Sequence, residues 1–548
     1  MIKKMNGFKT TLTGGRLGKM FGSAADAFLH KIDPQLHAGA YIGEHSGGFA
    51  ETEFAGKYLD TSVRYCKYFK DIGRDADAAL ALDNAKTVVG AIIENQREDG
   101  YIGGLGEGHE TEGFSVWNQA FTMLGLVSYF ELTGDRAALG AAERIAEYNA
   151  LIFMGGADIC GGSNNGSQHL SLLLPLVRLS AYSDNGSIAL FAHFIVSRIR
   201  SSDNDFLDFG SILELRSKKG IENFVILLGL LEYGERFDFP DATDACMKYW
   251  DELASTQIRE NGNGTLGEVW TENGSSPRML GEADRPDENC VAVGWIELSL
   301  ALWRLTHEPK YLDEIERTLY NHLLGAVSED GADFAYYQPN YGKKLNITPE
   351  SMYKCCRYRG HSAVSQLPDM LFSRIGDTIF TMVYTDADYE DEDVRIEERA
   401  VYPYGSEVSL KLKFHRECHR KLVLRVPKDV SSVEVLLDSV PLDVRPERGL
   451  ITLSISAGGE HELRLSFGVE PVRKPVVIDG VDRIGFTYGC LLLAAETDGD
   501  PAALTVDPNA PIIPCGEGFG FRIGDVKLTD YASAGRSHGF VVWCRSAG

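Results

Sequence analysis

The sequence predicts a mainly helical protein with a β-rich tail: an (α/α)6 barrel followed by a C-terminal antiparallel β-sandwich region. Three observations carry this. Up to about residue 372, helix-period segments recur in pairs with a breaker between the members. Long glycine-rich stretches separate the pairs. Beyond residue 372 the apolar pattern changes to period two.

Residues 116–132, VWNQAFTMLGLVSYFEL, place Trp117, Phe121 and Leu124 on one helical stripe with no proline to interrupt it. Thr133-Gly134-Asp135 breaks the helix, and RAALGAAERIAEYNAL resumes it. The same cadence breaks near Gly73, near Ser183 to Gly186, near Gly234 and near His307 to Pro309. Helical hairpins at intervals of about 50–75 residues suit either a solenoid or a closed barrel. The stretches GYIGGLGEGHETEG, GGADICGGSNNGS and RENGNGTLGEVWTENGSS favour closure. They are long for connectors, and on a barrel such loops gather at one mouth. Residues 408–414, 421–426, 450–455 and 461–467 then alternate as strands. Val426-Pro427-Lys428-Asp429 and Ala457-Gly458-Gly459 read as turns between them. Further strands are expected in IGFTYGCLLLAAE and GFVVWC. The division is residues 1–372 for the barrel, 373–478 for the sandwich and 479–548 for an additional β-rich segment.

Composition narrows the function. A 44% hydrophobic fraction excludes a disordered chain, and no apolar run approaches the ~20 residues of a membrane span. The net charge of −25, from 54 Lys+Arg against 79 Asp+Glu, argues against nucleic acid or an anionic membrane as partner. It leaves a small carbohydrate or oligosaccharide substrate and homo-oligomer formation open. The start, MIKKMNGFKTTLTGG, lacks an apolar h-region, and ten cysteines are too sparse for a disulfide scaffold. A cytoplasmic location with reduced thiols is the expectation.

Two segments stand out. Glu288 and Cys290 are one residue apart in RPDENCVAVG, and Cys355 and Cys356 are adjacent in YKCCRYRG. One carboxylate and three thiolates form a reasonable tetrahedral zinc set, although buried inert cysteines give the same spacing. Carboxylates are the other candidates. Cleaving a glycosidic bond takes a proton donor and, across the anomeric carbon, a nucleophile or base. Glu268, Glu272 and Glu282 all lie in the glycine-rich approach to Cys290. His169 joins a polar loop, with Asn164, Asn165 and Gln168, to a helix. Tyr336 and Tyr337 are placed to stack on a sugar or to fill core, and Glu316 reads as a helix-face partner.

The order Gly-Glu-x-aromatic, Glu-x-Cys, ERTLYN, YYQP and Cys-Cys resembles glycoside hydrolase family 127, the β-L-arabinofuranosidases, with the related family 146. IIENQREDGYIG, VSYFELTGD and DRIGFTYGCLLLAAE extend the likeness over most of the chain. The resemblance implies an (α/α)6 barrel with β-sandwich domains and a zinc-dependent retaining exo-glycosidase. By that resemblance Glu288, Cys290, Cys355 and Cys356 hold zinc, and Cys355 is the nucleophile. A Gly-Glu glutamate is the general acid/base, with Glu268 favoured because Trp270 follows it as the motif's aromatic. His169, Glu316 and Tyr336 match sugar-contacting positions. Two departures bear on the sugar: Cys-Cys is followed by Arg357-Tyr358-Arg359 instead of Pro-Pro-Asn, and histidines expected near residues 114–117 and 223 are replaced. The rival readings are another (α/α)6 sugar enzyme, such as an epimerase or unsaturated-uronide hydrolase, and a carbohydrate-binding protein with structural zinc.

Overall fold

The computed structural model describes residues 7–43, 51–344 and 354–547. The first six residues, part of the segment read as non-secretory, lie outside it. Local signals set the helices. Ser115–Thr133 stops where Gly134 turns left-handed at φ +74°, and Asp135 then caps Arg136–Met154 by accepting from the Ala137 N–H. Ser115–Thr133 is buried over most of its surface, whereas Arg136–Met154 buries one stripe. The first is therefore an inner helix and the second an outer one.

Among the described residues, six inner helices form a ring: Glu51–Asp71, Ser115–Thr133, Leu173–Leu179, Gly220–Phe237, Asn289–Thr306 and Lys354–Ser365. Each packs on the next, and the last closes onto the first. The outer partners of the first five are Asp75–Asn95, Arg136–Met154, Gly186–Arg200, Pro240–Thr256 and Pro309–Arg317. The sixth outer position is filled from the other end of the barrel sequence, by Gly15–Lys31 packing on Lys354–Ser365. This is the expected (α/α)6 barrel, closed by joining its ends. One break falls elsewhere than expected. The helix runs through Gly234 to Phe237, and the chain turns at Asp238, φ +53°, before Pro240. Gly234 serves close approach instead, since a Cβ there would lie 2.5 Å from Thr243 Oγ1.

The β region forms two largely antiparallel sheets. Glu407–Arg425 and Leu450–Phe467 pair along nearly their full lengths at the centre of the first. Each had read as two strands. Ala457-Gly458-Gly459 is a shift of register inside one continuous strand, with Gly459 at φ +85°, so it bends the ladder instead of reversing it. At the sheet edge Phe8–Leu12 pairs with Ala387–Asp391, so the strand ahead of the first barrel helix belongs to the β region. The second sheet contains the strands expected in IGFTYGCLLLAAE, Val481–Tyr488 and Leu491–Thr497, paired as a hairpin. It also takes in Tyr341–Gly342, which pairs with Gly539–Val541.

One stretch joins barrel and sheets. Buried Arg425, at the end of its strand, reaches Asp313 at 2.8 Å and pairs with Glu316. Tyr402 donates to Glu316 at 2.9 Å. In the π-helical turn Thr318–Leu323, Tyr320 donates to the Tyr384 carbonyl, and the Asn321 amide bonds both Cys490 and Leu492 of the second sheet. Removing one partner of a buried ion pair strands the other. Arg425→Met should therefore lower the free energy of the first urea unfolding transition by about 3–5 kcal/mol. A loss under about 1 kcal/mol would show that the junction does not depend on this cation.

Candidate active site

The inner helices bring their N-terminal turns to one mouth of the barrel. Glu288 is the N-cap of Asn289–Thr306, Cys290 lies in that helix's first turn, and Cys355 and Cys356 lie in the first turn of Lys354–Ser365. Cys290 Sγ is 3.1 Å from Cys355 Sγ and 3.2 Å from Cys356 Sγ. Cys356 Sγ is 4.0 Å from Glu288 Oε1. The donor atoms of Glu288, Cys290 and Cys356 all lie within 4.8 Å of one another, and Cys355 joins the set through Cys290. All three residues of that group are buried, and Glu288 Oε2 has no hydrogen-bond partner. Tetrahedral bonds of about 2.3 Å put sulfurs about 3.8 Å apart, so the thiols need to open by only about 0.6–0.7 Å to ligate zinc. The donor set fits a thiophilic divalent ion.

Glycine-rich residues 259–267 become a frame for this cap. Arg259 pairs with buried Asp287 and donates to the carbonyls of Gly274 and Thr265 at 2.7 and 2.8 Å. Asn263 holds the Glu288 carbonyl at 2.7 Å. Gly262, φ +85°, lies where a Cβ would be 2.4 Å from Thr318 Oγ1.

A third helix, Glu51–Asp71, completes the thiol's surroundings. Lys57 Nζ lies 3.3 Å from Cys355 Sγ, pairs with Glu53, and sits 4.6 Å from the centre of the Phe121 ring. Hydrogen bonds from Cys290 and Cys356, with Lys57 adding to them against burial, hold the Cys355 thiol well below its ordinary value. Burial pushes the Cys290 and Cys356 thiols up. Burial also raises Glu288 to about 8 and, with the nearby Cys355 charge, Glu53 to about 7. Negative charge in the cluster therefore gathers on Cys355, the least buried of the three sulfurs.

Glu268 stands on the other side of Tyr336. It adopts φ +73°, a conformation costly for a residue with a side chain. Its carboxylate pairs with Lys219, accepts from Arg285 at 2.7 Å and from the Tyr337 hydroxyl at 2.5 Å. Burial would raise its pKa, but Lys219 and the hydroxyls of Tyr337 and Tyr336 outweigh it and hold the carboxyl below its usual value. The Tyr336 hydroxyl also feels the charges of Glu288 and all three cysteines, so this ring spans the space between Glu268 and the sulfurs. Lys219 in turn feels Glu288, Glu268 and Glu222.

The turn Ser167–Leu170 closes the same mouth. Ser167 and Asn164 both donate to Glu222, in the first turn of Gly220–Phe237. Burial pushes the Glu222 carboxyl up to about 7. Gln168 is fully buried with neither amide atom bonded. Buried His169 packs 5.1 Å from the Phe153 ring, and its nitrogens approach the backbone of Thr111 and Asp158 without reaching hydrogen-bonding geometry. Burial lowers its pKa.

The structure thus brings Glu288, Cys290, Cys355, Cys356, Tyr336 and Glu268 together and sets His169 on the loop lining that end. Glu316 is placed differently: both its oxygens are engaged at the junction by Arg425 and Tyr402. Glu272 and Glu282 are exposed. Sequence reasoning missed Glu53, Lys57, Lys219, Glu222 and Arg285. A Glu-Lys pair four apart on a helix normally marks a solvated face. Here the signal was its position within the apolar stretch EFAGKYL, where a charge needs a buried partner.

Residues 193–369 match the sequence model of the β-L-arabinofuranosidase GH127 catalytic domain. Three solved structures share the whole fold. One is a GH127 β-L-arabinofuranosidase from Geobacillus stearothermophilus T6, 14% identical over 98% of this chain and 100% of that one, with a TM-score of 0.76. Another GH127 β-arabinofuranosidase is 17% identical over 98% of this chain and 97% of that one, with a TM-score of 0.76. A glycoside hydrolase is 13% identical over 100% of this chain and 99% of that one, with a TM-score of 0.77. At these identities the likeness is one of fold. No curated protein matches the chain. The resemblance to family 127 read from the motifs is borne out by the match over residues 193–369. No described helix is long and apolar enough to cross a membrane.

The folded value of Glu222, about 7, lies above the ordinary 4.5, so the native state holds this proton more tightly than the unfolded chain. That contribution to stability is complete below the unfolded value and is lost as pH rises through the folded one. Glu222→Gln should gain up to about 3 kcal/mol relative to the parent between pH 4.5 and 8, read from urea midpoints at each pH. Parallel pH profiles for the two proteins would place the Glu222 proton elsewhere.

Proposed function

We propose that this protein is a zinc-dependent retaining exo-glycosidase that releases a terminal β-L-arabinofuranosyl or related sugar. The observation that carries the reading is the meeting of Cys355 with Glu288, Cys290 and Cys356 at a barrel mouth that also holds Glu268. Zinc bound by these four residues would supply a thiolate at neutral pH. Cys355 Sγ attacks the anomeric carbon, the glycosidic C–O bond breaks, and Glu268 gives its proton to the departing oxygen. Glu268 then takes a proton from water, whose oxygen displaces Cys355 and releases the sugar with its configuration retained. Lys57 steadies Cys355 and is itself held by Glu53. Tyr336 and His169 face the sugar, while Glu316 acts at a distance by holding the barrel to the sheets.

The two cations on Glu268 favour its ionised, base form. The form that protonates a leaving group is therefore the minor one at neutral pH, and activity should rise toward acid until the site itself fails. Lys219→Gln removes the larger opposing charge, so the basic limb of the kcat/KM profile should move up by about 1–3 pH units. An unmoved limb would remove Glu268 from the acid role.

Metal analysis of the purified protein should return one zinc per chain. Cys355→Ser should abolish release of arabinose from an aryl β-L-arabinofuranoside, because a serine hydroxyl is far harder to ionise. Glu268→Gln should lower kcat/KM for substrates with poor leaving groups by about 10²–10⁴-fold, far more than for activated aryl glycosides. Exposed Glu282→Gln should be near normal. An active Cys355→Ser variant that still binds zinc would make this cysteine a ligand only.

A further inference from the structure

Deeper in the barrel than the cysteines, all six inner helices enclose a cavity of about 120 Å³. Lys57 lines its upper end, and Arg64, Arg178, Arg304 and Arg359 line the rest. Three of the four arginines are answered by carboxylates. Arg64 pairs with Asp60 at 2.9 Å, Arg178 takes both oxygens of Glu232 at 2.6 and 2.9 Å, and Arg359 grips Glu297 at 2.6 and 3.2 Å. Arg304 has no hydrogen bond among the described residues; Asp369 lies 3.9 Å away. Burial and the like charges of Arg64 and Arg178 weigh against it. A second group is also short of a partner, because Arg359 Nε is buried and unbonded.

Arg304 and Arg178 stand in the last turns of their helices, so this end is opposite the thiols. Arg304 keeps 29% of its side chain exposed, which leaves a way in from solvent. A lined space in which Arg304 has only a long ion pair to the exposed Asp369, closed to bulk water over most of its wall, favours an anion over water alone. We infer that this cavity binds a small inorganic anion, up to the size of phosphate, held by Arg304 with the guanidinium groups around it. The site shares Lys57 with the thiol cluster but does not depend on the glycosidase reading.

The competing account is that Arg304 only faces the C-terminal ends of the helix dipoles. Thermal midpoints measured on the full chain against inorganic phosphate, and separately against chloride at matched ionic strength, distinguish the two. The parent should show a saturable rise with one of these anions, and a ³¹P line broadened by the protein if that anion is phosphate. Arg304→Gln should weaken the response by about tenfold or more, whereas Arg522→Gln, an exposed control, should leave it unchanged. Should Arg304→Gln fold poorly, Arg304→Lys retains the charge without the fork and should still bind more weakly than the parent. A response that never saturates, or one equal in the parent and both Arg304 variants, overturns the site.

Discussion

The structure depends on closure of the helical ring. Lys354–Ser365 must fit between Glu51–Asp71 and Asn289–Thr306, with Gly15–Lys31 behind it. That fit needs close backbones: at Gly56 a Cβ would lie 2.5 Å from the Phe121 carbonyl of the neighbouring inner helix. Once the ring closes, Cys290 and Cys355 meet at 3.1 Å, and Lys57 arrives from a third helix at 3.3 Å. The positive ends of the inner helices then all point at the same mouth. Thiolates and carboxylates gather there because the helix dipoles and unpaired N–H groups favour negative charge.

The mouth is divided electrostatically. On one side Lys57 balances Glu53 and Cys355; on the other Lys219 balances Glu268 and feels Glu288 and Glu222. Without a further cation, buried Glu288, Cys290 and Cys356 are driven toward their protonated forms. A divalent ion would replace those protons, which is how metal affinity, pH and folding become coupled in such a site. The net charge of −25 would matter little to the neutral sugar proposed to enter it, which would be recognised by hydrogen bonds and ring contacts.

The β region acts on the site indirectly. Residues 313–321 spend Asp313, Glu316, Tyr320 and Asn321 on the two sheets, and the same stretch packs Thr318 against Gly262 of the loop that frames Glu288. A displacement of the sheets would therefore reach the cap that carries Glu288 through a chain of buried hydrogen bonds. This explains why ERTLYN is prominent in the sequence although its carboxylate is engaged away from the sulfurs.

Much of the architecture was legible in the sequence because it rests on local periodicity. The paired helices, the turn at Gly134 and the change to alternating strands are each written within a few residues. The candidate metal ligands were legible as types, since a Glu-x-Cys and a Cys-Cys pair carry their chemistry wherever they lie. The continuous strand at 450–467 reads as broken because a glycine pair signals a turn locally and a bulge only when a partner strand is present, and that at 407–425 because the polar run from His415 to Arg420 interrupts the apolar alternation. The sixth helical pair was hidden, since its members lie at opposite ends of the barrel sequence. The sequence by itself determined the kinds of elements and the kinds of ligands. Which lysine faces Cys355, that Glu268 is ionised, and that Glu316 belongs to a junction were decided only by the tertiary structure, because burial and charge pairing are properties of the assembled ring and not of any segment.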